Sequence, residues 1–123
     1  MKKLCLFIAA IVLFIACKKN ELGGDSVIEG KVFHHSKVIT NCSVFIKFKS
    51  NDLPGTDTTL YDAKVRVDKD GYYKFTPYKG KYYIYASGKD PGISPPYVVV
   101  GGQGVKLRAK ETVSLNIYVT EGD

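Results

Sequence analysis

The sequence has no Trp, only two His and only three Cys in 123 residues, and each shortage removes a class of function. Cys5 and Cys17 fall in or beside an N-terminal apolar run, which leaves Cys42 alone in the rest of the chain. A lone cysteine excludes an intrachain disulfide, so a domain this small must be held by its hydrophobic core. Cys42 shares an alternation register with Val44, Ile46 and Phe48 and reads as a buried, inert thiol. His34 and His35 are neighbours on an expected strand, so they point to opposite faces, and no acid lies near them in sequence. They read as strand-end or loop residues. Asp68 and Asp70 beside Gly71 lack the downstream ligands of a calcium loop and read as a turn. Gly-x-Ser-x-Gly, His-Glu-x-x-His and phosphate-loop patterns are missing; Gly101-Gly102-Gln103-Gly104 has no helix or Lys-Ser/Thr after it. No catalytic residue, metal or cofactor is therefore expected. Nor does any stretch after the N-terminal run sustain a 3.6-residue period, which excludes a helix longer than a turn or two. The net charge of +6 comes from lysines scattered singly, without the dense basic run that nucleic-acid binding uses.

What is present begins with a processing signal. Lys2 and Lys3 precede an unbroken apolar run from Leu4 to Ala16. That run is too short for a spanning helix, which needs roughly 20 apolar residues, and fits the core of a signal peptide. Its end, Phe14-Ile15-Ala16-Cys17, resembles the lipobox of bacterial lipoproteins, although the family's usual Leu is replaced by Phe14. The resemblance implies diacylglycerol on the Cys17 sulfur, with cleavage just before it. Residues 1–16 are then the signal peptide, and 17–25 the lipidated cysteine and a flexible, glycine-containing tether. Cleavage takes two of the 18 basic residues and none of the 12 acidic ones, leaving a mildly basic remainder.

From residue 26 onward, period-two alternation governs the chain, in which 45% of residues are hydrophobic. Ile28, Gly30 and Val32 oppose Glu29 and Lys31; Val44, Ile46 and Phe48 oppose Lys47 and Lys49. The same holds for Ala63–Val67, Tyr72–Phe75, Tyr82–Ala86 and Val113–Val119. Asp68-Lys69-Asp70-Gly71 and Pro77-Tyr78-Lys79-Gly80 separate successive strands, and three prolines between Lys89 and Pro96 make a loop. Tyr97–Val100 reads as a short strand closed by Gly101-Gly102, with Val105–Leu107 after it. One apolar and one polar face per strand predicts an all-β, antiparallel two-sheet sandwich of about seven strands over 26–123.

Three of these runs carry a resemblance to carboxypeptidase regulatory-like domains of the transthyretin-like (prealbumin-like) sandwich group. They are Ile28-Glu29-Gly30-Lys31-Val32, Asp70-Gly71-Tyr72-Tyr73-Lys74-Phe75 and Gly80-Lys81-Tyr82-Tyr83-Ile84-Tyr85-Ala86. With the lipobox, the resemblance implies an outer-membrane lipoprotein of the Bacteroides type. The group's enzymatic branch, the hydroxyisourate hydrolases, ends in Tyr-Arg-Gly-Ser. This chain ends Tyr118-Val119-Thr120-Glu121-Gly122-Asp123 and lacks that support.

The Tyr content supplies the candidate binding residues. There are nine tyrosines, and Tyr72, Tyr83, Tyr85 and Tyr118 all fall on the solvent register. The first three are expected on adjacent hairpin strands, flanked by Lys74 and Lys81. Such a strip either stabilises the sheet through cross-strand pairs or stacks against a glycan or protein ligand. The expected function is a non-catalytic binding or accessory module, held to the outer membrane by the lipid on Cys17. The alternatives are a structural subunit of a surface or envelope assembly, joined through the edge strand near Tyr97–Val100, and, remotely, a small hydrolase.

Overall fold

Alternation of the kind described above requires two facing sheets, and two sheets form. A computed structural model describes residues 19–121; the expected signal peptide and Cys17 lie outside the described residues. The strands are β1 (Val27–His34), β2 (Lys37–Val38), β3 (Cys42–Phe48), β4 (Ala63–Arg66), β5 (Tyr72–Phe75), β6 (Gly80–Lys89), β7 (Val98–Leu107), β8 (Thr112–Ser114) and β9 (Ile117–Tyr118). A short 3-10 turn, Thr58–Leu60, is the one helical element among the described residues. The expected all-β sandwich is what forms.

The first sheet is built around β1, which pairs with β5 and β2 along one edge and with β8 and β9 along the other. The second sheet runs β4-β3-β6-β7, antiparallel throughout. The inner faces meet in one core. Ile28, Val32, Tyr73, Phe75, Leu115, Ile117 and Val119 come from the first sheet's side, and Cys42, Val44, Ile46, Tyr82, Ile84, Ala86 and Val99 from the second. Each fully buried aliphatic side chain contributes about 1.5–3 kcal/mol, which replaces the missing disulfide.

Several expectations are corrected. β8 and β9 pair with β1 in parallel, not antiparallel. The run 113–119 is also not one strand: Leu115 is interposed, close against Gly30, and the Asn116 side-chain carbonyl accepts the Lys31 amide at 3.0 Å. Gly30 permits this crossing, because a Cβ there would lie 2.1 Å from the Leu115 carbonyl oxygen. Gly101-Gly102 does not close a strand; β7 pairs without interruption from Val98 to Leu107. Its outer edge is occupied at Val100, which exchanges two 2.9 Å backbone hydrogen bonds with Thr120. The Asp68–Gly71 turn forms as expected, with Gly71 at φ +76° and the Asp68 carboxylate accepting the Asp70 and Tyr72 amides. It joins β4 to β5 in the other sheet, however, and the β5–β6 link crosses back; neither is a hairpin. Finally, residues 20–24 lie docked on the segment 76–81 and are not a free tether. The Asn20 amide donates to the Lys79 carbonyl, the Gly23 and Gly24 amides to that of Thr76, and the Tyr78 amide to that of Glu21.

Candidate functional site

The crossing links divide the predicted tyrosines between opposite faces of the molecule. Tyr72, Lys74 and Tyr118 stand on the outer face of the first sheet; Lys81, Tyr83 and Tyr85 stand on the outer face of the second. The strip expected across a β5–β6 hairpin is therefore two separate clusters. In the first, the Tyr72 hydroxyl donates to the Glu29 carboxylate. Tyr118, 64% exposed, stacks on Phe33 with ring centroids 5.7 Å apart. Lys74 faces Glu29 across β1 and β5.

The second cluster is larger, and it contains two rings that sequence reasoning passed over. Phe45 lies directly opposite Tyr85 on β3, and Tyr61 reaches down from the loop after the 3-10 turn. Tyr61 stacks on Tyr85 at 5.3 Å with planes 14° apart, and Phe45 touches both at 5.8 and 6.4 Å. The loop is fixed locally. Asp57 caps the 3-10 turn by accepting the Thr59 amide, the Asp62 amide donates to the Ile46 carbonyl, and the Tyr61 hydroxyl donates to the Gly55 carbonyl. Tyr85 is consequently only 3% exposed although its register faces outward. Tyr83 lies against Gly102 on β7: a Cβ there would come within 2.7 Å of its ring, and the glycine leaves that ring space to lie over bare backbone.

What remains reachable is a platform of half-buried Tyr61, Tyr83 and Phe45, with Tyr85 beneath. Burial pushes the Tyr61 hydroxyl up to about 12, reinforced by the neighbouring Tyr83 and Tyr85. Burial also raises Tyr83 and Tyr85, the latter with help from Tyr83. All three therefore stay protonated at neutral pH, as hydrogen-bonding groups beside flat apolar rings and not as bases. Flat rings with a polar tip suit a ligand that is itself apolar on one face and hydroxylated at its rim.

A third cluster lies at one end of the sandwich. His34, continuing the inward register of β1, brings its Nδ1 to 2.7 Å from Asp90 Oδ2, and Lys37 Nζ donates to Asp90 Oδ1 at 2.7 Å. The Gly92 amide donates to the same oxygen. A carboxylate only accepts, so Nδ1 carries the proton in this contact. Lys37, then His34 and the Gly92 amide, hold the Asp90 carboxyl well below the usual carboxylate range. The contact joins the end of β1 to the loop after β6 and so ties the two sheets together. Beside it a cleft of about 370 Å³ is lined by Lys37, Ile39, Asn41, Lys89 and Tyr97 among others. Cys42, whose thiol burial pushes up to about 11, lies in the core. Among the described residues no group of three or more His, Cys, Asp or Glu is placed to hold a metal.

Compared with known proteins, the sequence matches no family model and no curated protein. Its fold does have counterparts. A proposed carbohydrate-binding protein of Pseudomonas aeruginosa is similar at 16% identity, with a TM-score of 0.53, over 85% of this chain and 93% of that one. A DUF3823 family protein from Parabacteroides merdae aligns at 18% identity, with a TM-score of 0.47, over 80% of this chain. This chain spans 47% of that protein's length. The likeness is one of fold.

Proposed function

We propose that this chain is a lipid-anchored lipoprotein of the outer membrane whose sandwich is a non-catalytic, glycan-binding module. The observation that carries the reading is the platform of Tyr61, Tyr83 and Phe45, held rigid from below by Tyr85 and from the side by the bare backbone of Gly102. Stacked rings of this kind present apolar area at little cost in conformational entropy; the Tyr83 hydroxyl can donate to a ligand, while that of Tyr61, already donating to Gly55, can accept. The similarity in fold to a proposed carbohydrate-binding protein is consistent with that use. The sandwich is assigned to the carboxypeptidase regulatory-like, transthyretin-like group on its three motif runs, which fall in β1, β5 and β6. The anchor rests on the lipobox ending at Cys17.

Two experiments test the two halves of the reading. Palmitate labelling in cells should mark the wild-type chain in the outer-membrane fraction and leave Cys17→Ser unlabelled; equal labelling of both would remove the anchor. A panel of soluble polysaccharides, neutral and acidic, should include at least one that binds the wild type and loses about tenfold or more in affinity to Tyr83→Ala. Retention of full affinity by Tyr83→Ala and by Tyr61→Ala would place the ligand elsewhere.

A further inference from the structure

The face that carries the platform holds more positive charge than its own carboxylates can balance. The strand register sets Lys47, Lys64, Arg66, Lys81, Lys89 and Lys106 on it, around the tyrosines. Asp62, on that face, is already engaged by Lys47 at 3.6 Å and by the Phe48 amide at 2.6 Å. The loop that packs on Gly104 and carries Tyr61 adds Asp52 and Asp57, the latter capping the 3-10 turn, so six cations face three carboxylates. Among the described residues, no carboxylate lies within 4.0 Å of Lys64, Lys81, Lys89 or Lys106. Lys81 and Lys106 stand directly opposite each other across β6 and β7. Like charges in that position weaken a sheet, so the pair is a cost that folding alone does not explain. The outer face of the first sheet is less unbalanced: Lys31 and Lys74 share it with Glu29.

We infer that the ligand of the platform is an acidic polysaccharide, one bearing carboxylate or sulfate groups along its length. The inference rests on the glycan-binding reading above and narrows it. The cations lie on both sides of the rings and continue along β6 from Lys81 to Lys89, eight residues or roughly 26 Å of strand. An extended chain suits that length better than a single sugar. A repeating anion would relieve the Lys81–Lys106 repulsion while its apolar sugar faces rest on Tyr83 and Tyr61. Lys81 and Lys106, directly opposite each other, act together at physiological salt, where screening extends over about 8 Å.

The test compares polymers that differ only in charge. The full chain, purified from membranes in detergent, is titrated with polygalacturonate and with its fully methyl-esterified form, and with dextran sulfate against dextran. Expected are at least tenfold tighter binding of the acidic member of a pair at 0.05 M NaCl and a loss of about tenfold on raising salt to 0.5 M. The double variant K81Q/K106Q should lose about tenfold for the acidic polymer, several times more than it loses for the neutral one, and melt no lower than wild type. Y83A should weaken acidic and neutral binding together. If no acidic polymer outbinds its neutral counterpart, or K81Q/K106Q binds as wild type does, the acidic assignment is wrong while glycan binding stands. If no polymer of either kind binds, the glycan reading itself falls. Equal binding of phosphatidylglycerol vesicles, insensitive to Y83A, would mark a merely basic face and overturn the inference.

Discussion

Gly30 lies close against the Leu115 carbonyl, and this approach of distant parts of the chain yields a prediction in two parts. Gly30→Ala would place a methyl group 2.1 Å from that oxygen and 2.6 Å from its carbon. Ordinary contact begins at 3.4 Å, so the segment must retreat by about 1 Å. Retreat is resisted by the 2.7 Å bond from the Leu115 amide to the Glu29 carbonyl and by the 2.6 Å bond donated by the buried Tyr73 hydroxyl. Lengthening either by 1 Å takes it beyond hydrogen-bonding range. Overpacking costs about 1–3 kcal/mol and each of the two lost bonds about 1 kcal/mol, so Gly30→Ala should destabilise by about 3–5 kcal/mol. Tyr73→Phe alone leaves a buried carbonyl short of a donor and should cost about 1.5 kcal/mol. Because the alanine already breaks the tyrosine's bond, the double variant should cost about 1 kcal/mol less than the sum of the singles. Urea unfolding of the four proteins measures this cycle. In thermal melts the alanine variant should fall by more than 12 °C, at about 4–8 °C per kcal/mol for a domain of this size. A Gly30→Ala protein within 0.5 kcal/mol of wild type, or a Tyr73→Phe cost that is the same in both backgrounds, would refute the reasoning.

Three further outcomes are expected. Tyr61 and Tyr82, both raised to about 12 chiefly by burial, favour the fold below the free tyrosine value near 10, and that contribution is lost as pH rises toward 12. Absorbance at 295 nm should therefore show late-titrating tyrosines whose ionisation coincides with unfolding; normal titration of all nine with the fold intact would count against it. Asp90, held low by Lys37 and His34, stabilises above the ordinary carboxylate value of about 3.9, an effect lost as pH falls below it. Asp90→Asn should flatten the acid limb of the stability curve, and an unchanged limb would deny the contact a role. Cys42, with its thiol raised to about 11 in the core, should be alkylated by iodoacetamide at pH 8 about a hundredfold more slowly in the native protein than in urea; comparable rates would place it at the surface.

The sequence made the strands readable because a buried inner face enforces alternation. Ile28 and Val32, Val44 and Ile46, and Tyr82, Ile84 and Ala86 all stand in the core as their spacing requires. Alternation is blind to pairing, though: β5 and β6 read alike whether they form a hairpin or lie in facing sheets, and so Tyr72 was grouped with Tyr83. Tyr85 has the outward register expected of it and is nonetheless buried, since Tyr61 arrives from a loop that carries no period. The readable clue to the platform was Phe45, a ring on the polar face between Val44 and Ile46. Nothing local links His34 to Asp90, 56 residues away. The run of glycines in β7 looked like a break because their use, close approach to Tyr83 and to the Tyr118 carbonyl, exists only in three dimensions.

The parallel pairing of β1 with β8 and β9 has a consequence for the order of events in time. The first strand of the sandwich acquires the partners on its second edge from residues 112–118, 85 residues further along the chain at every pair. Contacts of such long separation form late, because the intervening chain must first be ordered. A chain moved across a membrane N-terminus first would keep that one edge of β1 open until residues 112–118 had followed. The first sheet would thus close only once that segment had arrived.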